Sequence, residues 1–307
     1  MKRLYPALLA AALSLAPVSA AHAQSPTATP AAETTVDSYE RFTVEVFGEG
    51  PDILFIPGLA TPRDVWRPVT EGLNANFRVH LLQVRGFGEE AGINAEGEVL
   101  APLVEEIASY IDEERLKSPA IVGHSMGGLA AMMIGARHPA LPGSLLIVDA
   151  LPWFGVLAGP AGASMSVADL EPRARMMRDT LASTYGNPAD PAQVDASIAG
   201  QVLDEKHLPQ LREWATSADP RVTAALLYDD LTTDMRQEIA SIEAPMTVIY
   251  PFNETYPTRE QADPLYRMQY AALQDVTYVA VGNSAHFVML DQPEAFANAL
   301  KEFLAAK

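Results

Sequence analysis

The chain has 307 residues, 49% hydrophobic and 20% charged, an ordinary globular balance with enough apolar material for a sizeable core. Its formal charge of −18 argues against nucleic acid and anionic lipid surfaces as partners. With no cysteine, it can hold neither a disulfide nor a lipidated cysteine anchor.

The N-terminus reads as an export signal. Lys2 and Arg3 make a positive start, residues 8–20 are a short run rich in Ala and Leu, and Ala21-His22-Ala23 supplies the small residues for cleavage before Gln24. The run is too short to span a bilayer comfortably, so residues 1–23 are expected to be removed, with no stable membrane anchor left behind. Losing the two basic residues takes the formal charge from −18 to −20. The expected location is therefore periplasmic or secreted. Residues 24–38, rich in Pro, Thr and Ala, read as a flexible lead-in.

From Tyr39 onward strand and helix patterns alternate. "RFTVEVF" alternates with period two, and "DILFIPG" is a short buried strand ending at Gly58. "RDVWRPVTEGLNANF" is helix-like, and "RVHLLQV" is a strand before the Gly-rich turn "RGFGEEAG". "EVLAPLVEEIASYIDEERL" is the clearest amphipathic helix, with Leu100, Leu103, Val104, Ile107 and Ile111 on one face. Then come the strand "PAIVGH", a helix reaching His138-Pro139, and the strand "GSLLIVDA". After a lapse, "PMTVIYP", a helix around "REQADPLYRMQYAAL", the strand "DVTYVAV" and a last helix "PEAFANALKEFLAAK" resume the alternation. This order predicts an α/β fold, a mainly parallel sheet covered by helices on both faces. The core is expected at 39–151 and 243–307, with a helical cap at 152–242 above the strand ends where ligands bind. In that cap Trp153, Phe154, Met165, Met176, Met177 and Leu181 either pack helices together or line an apolar acyl pocket.

The segment "PAIVGHSMGGLAA" runs from buried strand to buried helix through one tight bend holding Ser125. Gly-X-Ser-X-Gly in that context is a nucleophile elbow: a strained serine raises its hydroxyl above the sheet, and small neighbours let it do so. The hydroxyl needs a base. Of the six histidines, His286 sits in a loop just past the last strand, where it can reach Ser125. His124 adjoins the nucleophile and is expected to turn away. The acid must lie between the two in the chain. Glu254, in the loop after "MTVIYP", is favoured, and Asp149, at the end of "SLLIVDA", is the other candidate. For the oxyanion, one backbone N–H should come from Met126 and the other from Leu59, since Pro57 cannot donate and Gly58 lets the chain turn close.

"FIPGLATPRDVW", "VRGFG", "GHSMGG" and "AHFVMLDQP", in that order, resemble the α/β-hydrolase superfamily, in its esterase- and lipase-like branch. The resemblance covers roughly residues 40–151 and 240–306. It implies Ser125 as nucleophile, His286 as base, Leu59 and Met126 as oxyanion donors, and an acid in the loop containing Glu254. Three departures stand out. Pro57 replaces a common His, and Gln83 stands where relatives often carry Asp. The acid loop shifts by a residue among relatives, and if Asn253 takes the acid's place, Asp149 is promoted. The expected activity is hydrolysis of a carboxylic ester, or a related acyl bond, through an acyl-enzyme on a small-molecule substrate. A lactonase, an amidase or a carbon–carbon bond hydrolase would use the same triad. From another class, a non-catalytic binding protein would keep the fold without turnover. No cofactor is expected, as neither zinc-like His/Asp spacing nor a phosphate-binding Gly-Lys-Ser motif occurs.

Overall fold

The computed structural model describes residues 34–158, 166–255 and 257–306; the expected signal segment and Met165 lie outside them. Eight strands form one sheet in the order β1-β2-β4-β3-β5-β6-β7-β8. They are β1 Thr35–Ser38, β2 Phe42–Phe47, β3 Asp52–Ile56, β4 Arg78–Val84, β5 Ala120–His124, β6 Ser144–Val148, β7 Met246–Phe252 and β8 Val276–Gly282. Only β1 and β2 run antiparallel to their neighbours; from β4 to β8 every pairing is parallel.

The parallel strands bury both faces, which is why they read as apolar runs rather than alternations. In β3, Leu54 and Ile56 pack into one core cluster and Ile53 and Phe55 into the other. Of the helices, α1 Arg67–Thr70 is a single turn; α2 Leu100–Glu113 and α3 Met126–Arg137 cover the first face. After β6 follow α4 Val167–Ala182, α5 Pro191–Ile198, α6 Leu208–Ser217 and α7 Pro220–Thr232. Then α8 Arg259–Gln269 links β7 to β8, and the short α9 Val288–Asp291 leads into α10 Pro293–Ala305 on the second face.

The amphipathic pattern holds in α2, where all five expected apolar positions are buried. Two local expectations are corrected. The lead-in assigned to 24–38 ends in a strand, because Thr35 to Ser38 pair with Val46 to Thr43 across a tight turn closed by Tyr39 N donating to Phe42 O at 2.9 Å. The helix-like run after Thr61 breaks into two 3-10 turns around α1. Pro68 cannot continue the hydrogen-bond ladder, and Gly72 leaves the helical region with φ 83°.

Among the described residues, the stretch between β6 and β7 holds helices and turns, with one isolated bridge from Ala218 to Phe87. It is tied down at several points. Asp219 N donates to Gly86 O at 2.7 Å, Trp153 Nε1 to Leu231 O at 2.9 Å, and Met235 N to Pro152 O at 2.8 Å. Gly86 takes φ 101°, and a Cβ there would meet Val222 Cγ2 at 2.6 Å, so α7 rests directly on the turn after β4.

His80, mid-strand in β4, is fully buried. Its ring nitrogens meet Tyr110 Oη at 2.6 Å and Asp52 Oδ1 at 3.1 Å. Arg78 Nε lies 3.2 Å from the same Nε2 and 3.1 Å from the same Asp52 oxygen, so the three groups form one cluster. Burial alone would raise the Asp52 carboxyl, but the His80 hydrogen bond and the charges of His80 and Arg78 outweigh it and hold it below its ordinary value. A depressed folded-state value means stability that is present above the unfolded pKa and lost as pH falls through the folded one. Asp52→Asn is therefore expected to cost about 1–3 kcal/mol near pH 7 in denaturant titrations, a penalty that shrinks below about pH 4.

Candidate active site

The bend after β5 is a matter of steric fit. Ser125 has φ 54° and ψ −124°, a strained region for a residue with a side chain. Its N–H donates to Val148 O at 3.0 Å and its carbonyl accepts from Gly128 N at 2.8 Å and Leu129 N at 3.1 Å, so strand β6 and helix α3 hold it from both sides. A Cβ at Gly123 would collide with Gly127 O, and one at Gly127 with the carbonyls of Ile56 and Pro57. Both positions therefore need glycine for close approach of backbone to backbone. The hydroxyl of Ser125 makes no hydrogen bond with a described residue.

The loop after β3 closes over this bend. A Cβ at Gly58 would stand 3.2 Å from Ser125 Cβ, and Thr61 Oγ1 donates to Leu59 O at 2.9 Å. The backbone N–H groups of Leu59 and Met126 donate to no other described residue. Two free donors thus flank the serine, one on the β3 loop and one at the start of α3, whose N-terminal end favours negative charge.

His286 follows β8 and precedes α9, with its side chain 30% exposed. Its Nδ1 lies 2.6 Å from Asp149 Oδ2. Asp149 is the first residue past β6, with φ 43°, a left-handed conformation that Asp tolerates better than most residues. Its N–H donates to Ile249 O at 2.8 Å, and its Oδ1 accepts a short hydrogen bond from Tyr266 Oη. Tyr266, on α8, is buried and stacked on Tyr250 at 4.4 Å. Burial, then the neighbouring Asp149 charge, raises its hydroxyl well above the usual tyrosine value, so it stays a donor. Asp149 therefore accepts from both sides, and His286 Nε2 has no partner among the described residues.

The structure does not bring the favoured acid to His286. Glu254 lies exposed beyond β7, and the position beside it, Asn253, bonds both its own loop and the histidine loop: Asn253 Oδ1 accepts from Thr255 N at 2.8 Å and Nδ2 donates to Ser284 O at 3.3 Å. His286 Nδ1 is already met by Asp149, the other candidate.

His124, expected only to turn away from the serine, is tied to the histidine loop. It is fully buried, and its Nε2 donates to the backbone carbonyl of His286 at 3.0 Å, with the two rings 4.5 Å apart. Burial, reinforced by the charge of His286, drives His124 well below the ordinary imidazole value, so it is a neutral strut rather than a second base. Asp291 braces the same loop. One carboxylate oxygen or the other accepts from Ala285 N at 2.8 Å, from Leu203 N at 2.9 Å and from Asp204 N at 3.2 Å. Phe287 N adds a bond to Gln201 O at 3.0 Å. Neither Tyr266 nor Asp291 carries a sequence signal beyond its type; His124 adjoined the serine and was discounted.

Of the apolar cap residues, Trp153 is fully buried and serves packing, while Met176 is 63% and Phe154 37% exposed. A flank cavity of about 850 Å³ lies between α2, α3, α4 and α7, lined by residues including Met133, Arg137, Arg178, Arg221 and Tyr228. None of Ser125, Asp149 and His286 lines it.

A family model described as the alpha/beta hydrolase family matches residues 53–299. The pimeloyl-[acyl-carrier protein] methyl ester esterase of Aeromonas hydrophila is 25% identical over 270 residues, covering 85% of this chain and 98% of that protein. Among solved structures, the enol-lactonase from Burkholderia xenovorans aligns with TM-score 0.69 at 22% identity, over 86% of this chain and 96% of that one. A thermophilic esterase from Thermogutta terrifontis aligns with TM-score 0.72 at 18% identity, over 90% and 99%. The strained serine on its glycine bend, the histidine past the last strand and a family match spanning most of the sheet lead to one conclusion: this chain belongs to the alpha/beta hydrolase family.

Proposed function

We propose that this hydrolase is a serine esterase in which Ser125, His286 and Asp149 act as nucleophile, base and orienting acid. The observation that carries the reading is the 2.6 Å contact between His286 Nδ1 and Asp149, which leaves Nε2 without a partner among the described residues and available to a serine nucleophile. Carboxylic esters are the favoured substrates because the esterase of Aeromonas hydrophila matches nearly end to end.

In the first half-reaction Ser125 Oγ attacks the ester carbonyl while its proton passes to His286 Nε2. The oxyanion develops beside the Leu59 and Met126 N–H groups, each worth roughly 10²–10³ in rate in such sites. Collapse breaks the carbon–oxygen bond to the alcohol, which takes the proton from His286 and leaves an acyl-Ser125 ester. In the second half, water gives a proton to His286, adds to the acyl carbon, and the carboxylic acid departs as Ser125 recovers its proton. Asp149 stabilises the imidazolium in both halves without itself being protonated, while Tyr266 and His124 act as positioning residues. The same reading has the chain acting after export, on the strength of the basic start, apolar run and small-residue site within residues 1–23.

Ser125→Ala is expected to abolish labelling by a fluorophosphonate probe and to lower ester hydrolysis by about 10³-fold or more; retained hydrolysis in the purified variant removes Ser125 as nucleophile. Asp149→Asn should lower kcat by roughly 10³–10⁴-fold through loss of the imidazole's orientation and charge partner, whereas Glu254→Gln should stay within about twofold; the reverse ranking would return the acid to the loop after β7. N-terminal sequencing of protein recovered from outside the cytoplasm should begin at Gln24, and an intact Met1 there would end the export reading.

A further inference from the structure

Helix α7 carries two adjacent aspartates with different surroundings. Asp229 Oδ2 accepts from Leu100 N at 3.0 Å and Val99 N at 3.4 Å, so it caps the start of α2. Asp230 has no hydrogen-bond partner among the described residues, yet it is only 8% exposed. Residues spaced by four share a helix face, which puts Asp230 in line with Val222 and Leu226, both fully buried. An acid at the end of an apolar stripe, unpaired, is costly to the fold. Burial pushes its carboxyl up to about 7, against the pull of the nearby His286.

The helix crosses the ends of the strands that carry the reacting groups. Its first turn rests on Gly86, past β4, and its last turn is held by Trp153 Nε1 on Leu231 O at 2.9 Å, close in sequence to Asp149 past β6. In the sheet order, β3 and β5 lie between β4 and β6, so α7 spans the strand ends that carry the Leu59 loop and Ser125. The mechanism above uses no group at Asp230, whose electrostatic reach includes His286. A buried acceptor left open beside a reacting centre is satisfied when a ligand brings a donor to it.

We propose that Asp230 is a specificity residue: its carboxylate accepts a hydrogen bond from a hydroxyl or ammonium group of the substrate, so the preferred ester carries such a donor near its scissile bond. The inference rests on the serine-esterase reading and refines it. It also explains why an unpaired acid is kept on an otherwise apolar helix face, since a site built to bond a donor discriminates strongly against analogues that lack one.

The test compares matched methyl esters by methanol release: butyrate with its 3-hydroxy and 3-amino forms, and hexanoate with its 6-hydroxy and 6-amino forms. In the parent protein at least one donor-bearing ester should exceed its plain partner in kcat/KM by about tenfold or more. An advantage confined to the amines identifies charge recognition, and one shared by the hydroxy esters identifies hydrogen bonding; both support the proposal. In Asp230→Leu the ratio should fall toward unity, while Tm rises by about 2–4 °C in Asp230→Leu or Asp230→Asn as the buried unpaired acid is removed. A parent blind to the donor, or an Asp230→Leu protein that keeps the preference, overturns the proposal. A lowered Tm with unchanged selectivity would make Asp230 a structural residue and overturn it too. These results are separable from failure of the esterase reading, in which the parent neither labels with a fluorophosphonate nor hydrolyses any of the plain esters.

Discussion

The hydrogen bond between Asp149 and His286 crosses the sheet edge from the end of β6 to the loop after β8, passing over β7 between them. It can form only if the β8 loop leans inward and the β6 end presents its carboxylate upward. The left-handed backbone at Asp149 supplies the second condition, and Tyr266 fixes the carboxylate from the other side. Asn253 helps with the first, because its amide holds Ser284 of the histidine loop from the end of β7. The middle strand thus contributes a tether where a charged partner was expected.

Around that contact the bracing is almost entirely backbone-directed. His124 donates to the carbonyl of His286, Asp291 collects N–H groups from both the histidine loop and the segment before α6, and Tyr270 Oη bonds Ala150 O at 2.8 Å. Backbone partners restrict where a loop can go, whatever side chains it carries. The Ser125 hydroxyl and His286 Nε2, by contrast, have no partner among the described residues.

Much of this was readable in the sequence because it depends on local rules. Glycines around a serine between apolar runs have one economical use, and the period of the apolar residues in α2 marks its buried face. The parallel sheet follows from strands alternating with helices. What escaped reading depends on reach across the fold. Whether Glu254 or Asp149 meets His286 turns on how far a loop leans over a neighbouring strand, which no local pattern encodes. Tyr266 sits in a helix that looked like ordinary cover, and its partner lies 117 positions away. The break in the run after Thr61, by contrast, was legible in Pro68 and Gly72.

The Asp291 carboxylate grips the chain on both sides of a seam: the base-carrying loop through Ala285 and the overlying helical layer through Leu203 and Asp204. Lifting that layer at this corner would drag the imidazole from its seat. One side chain thus ties the position of the base-carrying loop to that of the layer packed against it.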